Sequence, residues 1–289
     1  MTDQDNAVQC EQSGCGYKNT YFATQCSRCG ASLGFPNVRQ AREGQRKLQE
    51  HFDAAQERAR NRGCTHEFNT LLAFADQSCA VMNVGLEAAD NILRSRKYYN
   101  YYKRTAAGGE IPSRDHESER RSVDSWIFGK YFENIYCAAL SANRQGLSSY
   151  GEISFLISNT IFLSNRASCL KQNAYHFFDS YFQGRGSKEP EGWRSDWENR
   201  ALLAGSKLES EITPGMQDSD LHRLLLNSTQ DREKDDFIEI HIYNDDEMDI
   251  DFFDEIRLSG KIRSKERKTL VLSIKQAIDQ RGLRSEGFS

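Results

Sequence analysis

Alternating apolar residues mark a strand in the segment DDFIEIHIYNDD, residues 235–246, in the C-terminal part of the chain. Ile238, Ile240 and Ile242 share one face of such a strand, because successive side chains point to opposite sides. The other face carries a carboxylate and an imidazole between two aromatic rings: Phe237, Glu239, His241 and Tyr243. Two interpretations follow. Either this face lines a functional cleft, or the strand lies at a sheet edge with a polar outer face.

Further strands and helices are mixed along the chain without the regular alternation of a parallel-sheet protein. Short apolar runs predict strands at 78–84, 150–158 and 252–259. Apolar residues at helical spacing predict amphipathic helices at 123–140 and 193–212. We therefore expect an α+β fold.

Two further helices are predicted outside this region. A stripe of apolar residues three and four apart predicts a linking helix at 36–63, with Gly63 as its stop. The basic C-terminal segment predicts a helix with Leu270 and Ile274 on its apolar side. These boundaries divide the chain into four parts: 1–35, 36–63, 64–262 and 263–289.

The composition indicates a core beneath a very polar surface. Of the 289 residues, 38% are hydrophobic and 28% are charged, and the net charge of −4 leaves any nucleic-acid contact to local patches. The first residues include no positively charged leader, and no apolar run approaches the about 18 residues of a membrane helix. We expect a cytoplasmic protein with no membrane partner, although a toxin delivered by a specialised machine would also lack a leader.

Four of the eight cysteines crowd the N-terminus in CEQSGCGYKNTYFATQCSRCG, with the spacing C-x4-C-x10-C-x2-C. Two thiolate pairs on tight turns can close a tetrahedron around Zn²⁺, and Gly16 and Gly30 directly follow cysteines, which suits such turns. We predict a zinc site made by four thiols: Cys10, Cys15, Cys26 and Cys29. The segment is too short to bury a core, so the metal must supply its folding energy.

The same segment resembles the small zinc ribbons of bacteria and the RanBP2-type finger, which has an asparagine at the position of Asn19. That finger type can bind single-stranded RNA or ubiquitin. Here Val8 replaces the expected tryptophan, and Phe22 and Ala23 replace the arginine pair of the RNA-binding form. We carry over the metal and leave the ligand open. The aromatic residues either stack on bases or pack on the next helix: Tyr17, Tyr21 and Phe22.

Residues 78–259 resemble a bacterial family of mono-ADP-ribosyltransferase-like toxin domains. Three stretches carry the resemblance: SYGEISFLISNTIFLSNRASCLKQNAYHF, WENRALLAGSKL and DDFIEIHIYNDDEMDIDFFDEIRL. The resemblance implies a split β-fold that binds NAD in a cleft between two small sheets. Such enzymes move ADP-ribose from NAD to an acceptor and release nicotinamide. The absence of G-x-G-x-x-G and G-x-x-x-x-G-K-[ST] motifs agrees with a fold that lacks a Rossmann unit.

The resemblance also implies roles for particular residues. Glu239 would be the catalytic carboxylate, which stabilises the positive charge that develops on the ribose. Arg166 is the candidate for the NAD pyrophosphate, with a surface salt bridge as the alternative. Tyr150 would stack on nicotinamide, with Gly151 allowing its close approach, or would be a core ring. Phe237 occupies the position where arginine-modifying members carry Glu or Gln, so we do not expect an arginine acceptor.

We therefore expect transfer of ADP-ribose to a macromolecular acceptor, which would be a protein or a nucleic acid. The chain would act as a bacterial toxin or defence effector, and its zinc module would dock the target or a partner. The sequence leaves open whether an antitoxin or chaperone partner exists. The alternative is a non-catalytic, zinc-dependent module that binds nucleic acid or protein on a degenerate transferase fold. The two hypotheses differ at Glu239, because only an enzyme needs its carboxylate.

Overall fold

The computed structural model describes residues 7–108, 114–185, 190–229, 231–232, 234–259 and 264–288. The first elements are β1 (Ala7–Gln9), β2 (Lys18–Thr20), α1 (Pro36–Glu43), α2 (Gln45–Asn61), α3 (Thr65–Gln77), β3 (Cys79–Val84), α4 (Leu86–Ser95), β4 (Lys97–Tyr98), α5 (Tyr101–Ala106) and α6 (Arg114–Phe128). Then come β5 (Ile135–Ser141), β6 (Ile153–Ile157), α7 (Thr160–Arg166), β7 (Ala167–Leu170), α8 (Ala174–Arg185), β8 (Arg194–Asp196), α9 (Arg200–Leu208) and α10 (Asp218–Leu225). The last are β9 (Leu226–Asn227), β10 (Asp236–Phe237), β11 (Glu239–Tyr243), β12 (Met248–Asp249), β13 (Glu255–Leu258), α11 (Lys265–Gln280) and β14 (Arg284–Glu286). Mixed helices and strands confirm the predicted α+β class.

An eight-stranded sheet organises these elements in the order β14-β13-β6-β3-β5-β11-β7-β8. The pair β13–β14 is parallel and the other neighbours are antiparallel. Strand β11 therefore lies inside the sheet between β5 and β7, and the interpretation of it as an edge strand is wrong. The described residues form this one large sheet and three two-stranded ladders, whereas the resemblance implied two small sheets.

Both faces of β11 are buried, and each packs into a different part of the protein. Ile238, Ile240 and Ile242 are fully buried in the largest hydrophobic cluster. On the other face, Tyr243 packs in an aromatic cluster, and Phe237 of the preceding strand β10 packs in a separate small one. The alternation of the sequence thus predicts the two faces correctly. The polar face is directed into the protein interior rather than into solvent.

Two predicted helices are interrupted by glycines. The predicted linking helix 36–63 is two helices, α1 and α2, which meet at Gly44. The predicted helix 123–140 ends at Phe128, because Gly129 takes the left-handed conformation (φ 59°), which favours glycine. A short 3₁₀ turn leads from there into strand β5, so the second half of this prediction is wrong.

The C-terminal segment belongs to the main body of the fold. Helix α11 buries Ile274 and Ile278 in the largest cluster, beside α4. Strand β14 then adds to the sheet by pairing in parallel with β13. The predicted basic C-terminal helix is therefore present, but it ends at Gln280 and a strand follows it.

Candidate functional site

The four N-terminal thiols come together as the spacing predicts. The sulfur atoms of Cys10, Cys15, Cys26 and Cys29 all lie within 4.8 Å of one another. Cys10 Sγ is 3.6 Å from Cys29 Sγ, and Cys15 Sγ is 3.7 Å from Cys26 Sγ. A tetrahedron with metal–sulfur bonds of about 2.3 Å has edges of about 3.8 Å, so the cluster can hold a metal ion such as zinc.

Backbone turns and one asparagine shape this cluster. Gly16 and Gly30 both have positive φ, 56° and 74°, as tight turns after a cysteine require. The buried Asn19 donates its Nδ2 to Cys26 Sγ at 3.5 Å and accepts the Ser27 amide at 2.8 Å. Burial alone would raise the pKa of Cys26, but nearby backbone amides and Asn19 lower it to about 6. The pKa values of Cys10 and Cys15 in the same cluster are raised, so these hydrogen bonds favour a thiolate at Cys26 in particular.

The ribbon, residues 7–35, packs on the main body through α1. Arg39 donates to the carbonyl oxygens of Leu33, at 2.7 Å, and of Tyr21. The Phe22 ring lies 6.0 Å from the Tyr131 ring and packs against the aromatic cluster of the main body. Tyr21 and Phe22 therefore pack on protein, whereas Tyr17 is 44% exposed.

A cavity of about 130 Å³ opens beside the polar face of β11. Its polar lining includes side chains from distant parts of the chain: Arg120, Asp124, Cys137, Tyr150, Asn173 and Glu239. Val81, Leu147 and Phe237 supply apolar walls. Pockets for whole drug-sized ligands typically measure about 300–1,000 Å³, so this cavity is smaller than such a pocket.

Glu239 is a buried carboxylate that is held in place by its neighbours. Its Oε2 accepts the Ala174 amide at 2.6 Å, at the N-terminus of α8. Backbone N–H groups and the helix dipole favour negative charge at that point. Burial alone would raise the pKa of Glu239, but the nearby His241 imidazole, the Ala174 amide and the Cys137 thiol lower it. These contacts favour the ionised form of the carboxylate.

A second carboxyl group in the cavity, that of Asp124, has a raised pKa. Asp124 is 5% exposed and accepts the Tyr102 hydroxyl at 2.6 Å, and the Arg120 Nε is 3.3 Å away. Burial raises the pKa of Asp124, and nearby Glu239 adds to the effect while Arg120 opposes it. Two carboxyl groups whose pKa values move apart are a common arrangement in catalytic sites.

Cys137 presents its thiol to the cavity, directly opposite His241 on the neighbouring strand. Desolvation by the surrounding protein raises the pKa of this thiol well above its ordinary value, and the carboxylates of Glu239 and Asp124 raise it further. A thiol in this environment stays protonated at neutral pH, and the thiolate is the nucleophilic form. Cys137 is itself exposed, so the two neighbouring carboxylates are the firmer reason why a nucleophilic thiolate is disfavoured there.

Tyr150 lines the cavity, whereas Gly151 is fixed by contacts of another kind. The Tyr150 hydroxyl accepts the Asn173 Nδ2 at 3.2 Å, and the Arg232 guanidinium lies 4.6 Å from the ring centroid. Gly151 has φ 150°, and a Cβ there would lie 2.1 Å from the carbonyl carbon of Val84. Gly151 thus permits a close approach, but the approaching group is the backbone at the end of β3.

Arg166 does not lie among the residues that line the cavity. Its Nη1 donates to Asn244 Oδ1 at 2.8 Å and to the Tyr243 carbonyl at 3.3 Å. Its guanidinium stacks on Phe35, 4.5 Å from the ring centroid. These contacts give Arg166 a structural role between the ribbon and the end of β11. Pyrophosphate binding by Arg166 stays a prediction.

Several cavity residues were not predicted as site residues. Cys137 reaches the cavity through the sheet order and Asp124 through the packing of α6, and no local pattern reveals either. Asn173 does carry a local signal, because its side chain accepts the Tyr175 amide as an N-cap of α8. Asparagine is a preferred residue at that position. A search of the sequence for helix starts could therefore have pointed to Asn173.

Known proteins give no further guide to this site. No family model matches the chain, and no curated protein matches it. In the part of the chain that the structure describes, no helix combines the length and apolar character that crossing a membrane requires.

Proposed function

We propose that the protein transfers ADP-ribose from NAD to a macromolecular acceptor, with Glu239 as the catalytic carboxylate. The observation that carries the proposal is the position of Glu239. It is a buried carboxylate on a cavity wall, held by the first amide of α8 at 2.6 Å. A group fixed before the reaction need not reorganise when charge develops, which is how preorganised electrostatic stabilisation works.

The reaction explains why a carboxylate belongs there. Departure of nicotinamide leaves positive charge on the ribose, as in glycoside hydrolysis. A fixed anion stabilises that transition state more than it stabilises neutral ground-state ribose, so it raises the rate. Tyr150 and Phe237 on the cavity wall offer flat surfaces for a heterocycle. Arginine-modifying members carry Glu or Gln at the position of Phe237, so acceptors other than arginine are the better candidates.

The N-terminal ribbon would complete this function as a docking module built on zinc. Four thiols with sulfur separations of 3.6 and 3.7 Å suit Zn²⁺. Tyr17 is the large aromatic residue that the ribbon leaves exposed. An acceptor or a partner protein would bind on that side.

Glu239→Gln tests the proposal directly. The substitution keeps the shape of the side chain and removes the charge, so we expect nicotinamide release from NAD to fall by about a hundredfold or more. NAD binding should change less, because the ground state carries no positive charge on the ribose. Steady-state nicotinamide release and transfer of labelled NAD to total protein and total RNA would be measured side by side.

Glu255→Gln is the matched control. Glu255 is also a buried carboxylate, paired with Arg144 and Arg257, but three strands separate β13 from β11 in the sheet. We expect this variant to lose stability and to keep its rate per folded molecule. An active wild type with an equally active Glu239→Gln variant would remove Glu239 from catalysis. A wild type without nicotinamide release would instead support the binding module.

A further inference from the structure

The two ring nitrogens of His241 face chemically opposite partners. The side chain is fully buried on the polar face of β11. Its Nδ1 lies 3.3 Å from Arg194 Nη1, and its Nε2 lies 3.5 Å from Glu239 Oε1. The Phe128 ring meets the imidazole edge-on, with centroids 4.6 Å apart at 89°. The ring is therefore confined between a guanidinium and a carboxylate.

Arg194 decides which nitrogen carries the proton. A guanidinium donates hydrogen bonds and cannot accept them, so Nδ1 must be the acceptor in this contact. A neutral imidazole with an accepting Nδ1 carries its hydrogen on Nε2. That hydrogen then faces Glu239, which can only accept while it is ionised.

The same atoms could suggest a metal site, but the tautomer argues against one. Ligand atoms of Cys137, Glu239 and His241 lie within 4.8 Å of one another, a donor set that zinc accepts. A metal on Nε2 would need the lone pair of that nitrogen and would move the hydrogen to Nδ1. Nδ1–H would then face the N–H groups of Arg194, donor against donor.

We infer that His241 is a positioning residue for Glu239, with Arg194 fixing its tautomer. The Ala174 amide holds Oε2 of Glu239 at 2.6 Å, and the His241 Nε2–H would hold Oε1, which together fix the plane of the carboxylate. In the described part of the chain Nε2 has no hydrogen bond of ordinary geometry, and 3.5 Å is long. Catalytic hydrogen bonds are often long before substrate binds and tighten in the complex. The inference rests on the proposed function of Glu239.

Two substitutions of His241 separate positioning from packing. His241→Gln keeps an N–H that can reach Glu239, whereas His241→Met fills similar space without a donor. We expect His241→Met to lower kcat for nicotinamide release by about tenfold to a hundredfold, the usual effect of losing a hydrogen bond to a charged group. KM for NAD should change little, and His241→Gln should stay within a few-fold of wild type. Equal losses in both variants would overturn the inference.

Arg194→Met tests the tautomer in a double-mutant cycle. In wild type it should lower kcat, because His241 can then adopt either tautomer. In the His241→Gln background it should have little further effect, since glutamine has no tautomer to fix. Additive losses would mean that Arg194 acts through stability and not through His241.

A direct measurement on the unsubstituted protein needs neither folding of a variant nor transferase activity. Long-range ¹H–¹⁵N correlation spectra of histidine-labelled protein report which ring nitrogen carries hydrogen. We expect His241 to be neutral with hydrogen on Nε2. Hydrogen on Nδ1 would overturn the inference even if nicotinamide release is confirmed. If His241 has the expected tautomer but the protein releases no nicotinamide, the proposed hydrogen bonds of His241 are supported and the proposed transferase activity is rejected.

Discussion

At Gly151 one hydrogen atom decides whether two segments of backbone can meet. Its φ of 150° lies in a region that residues with a side chain rarely adopt. The backbone of Val84 occupies the space where a Cβ would be. This contact fixes the position of the preceding residue, Tyr150, relative to the end of β3. Tyr150 in turn lines the cavity. The geometry of a single glycine is thereby coupled to the wall of the candidate site.

Gly151→Ala should therefore be far more destabilising than an ordinary glycine substitution. We expect a loss of more than about 3 kcal/mol in the free energy of unfolding, from backbone strain and a collision with backbone atoms that cannot move aside. Gly215→Ala is the matched control, because Gly215 also has positive φ (83°) but a Cβ there would meet open space within 4 Å. It should cost about 1 kcal/mol. Urea denaturation would compare them, and similar losses would contradict the steric argument.

At the scale of elements, β11 shows what a sequence pattern can and cannot predict. Two-residue alternation predicted both faces of the strand and the candidate carboxylate Glu239, because alternation depends on local geometry alone. The same pattern could not show that β11 lies between β5 and β7, since strand order depends on contacts between distant segments. The positions of Asp124 and Cys137 in the cavity and the contacts of Arg166 within the protein could not be predicted for the same reason. The zinc ligands were predictable because all four lie within a short stretch.

Helix α1 is tied to the sheet by the side chain of Asn37. This fully buried amide donates from Nδ2 to the carbonyl oxygens of Arg166 at 2.8 Å and of His241 at 2.9 Å. Those acceptors belong to the end of α7 and to β11. The first helix of the supposed linker is thus part of the core assembly around the candidate site.

Replacing Asn37 with alanine should loosen this attachment. Two buried carbonyl oxygens would lose their donor, so we expect the free energy of unfolding to fall by about 2 kcal/mol or more. Gln49→Ala on α2 removes an exposed helical amide that donates to the Asp53 side chain at 2.8 Å, and it should stay within about 0.5 kcal/mol of wild type. Chemical denaturation measures both. An Asn37→Ala variant with an unchanged free energy of unfolding would show that water replaces the amide.

At the scale of the whole molecule, the ribbon and the sheet depend on different sources of stability. The largest hydrophobic cluster contains no residue of the ribbon, whereas Phe22 and Phe35 only pack against the aromatic cluster beside α6 and α8. The ribbon has its four thiols in place of a core. Loss of metal should therefore affect one part of the molecule much more than the other.

We expect protein purified without chelator to contain about one zinc per chain, and Cys26→Ser to contain almost none. Without metal, protease cleavage should concentrate within residues 7–35 while far-ultraviolet circular dichroism keeps most of its signal. Cys64→Ser is the control, because Cys64 is buried away from the four thiols and should leave the zinc content unchanged. Elemental analysis gives the stoichiometry. Two zinc ions per chain would reveal a second site, and none would exclude the first.

The contact between Asn37 and the carbonyl of His241 joins residues that are 204 positions apart in the chain. A ribosome adds about 5–20 residues each second, so the acceptor is made about 10 to 40 s after the donor. The ribbon would capture a metal early in that interval, because its four cysteines all precede Asn37 in the chain. Helix α1 has nothing to dock on until the strands are complete. We therefore expect the ribbon and α1 to mature in two stages during synthesis, with metal binding first and docking last.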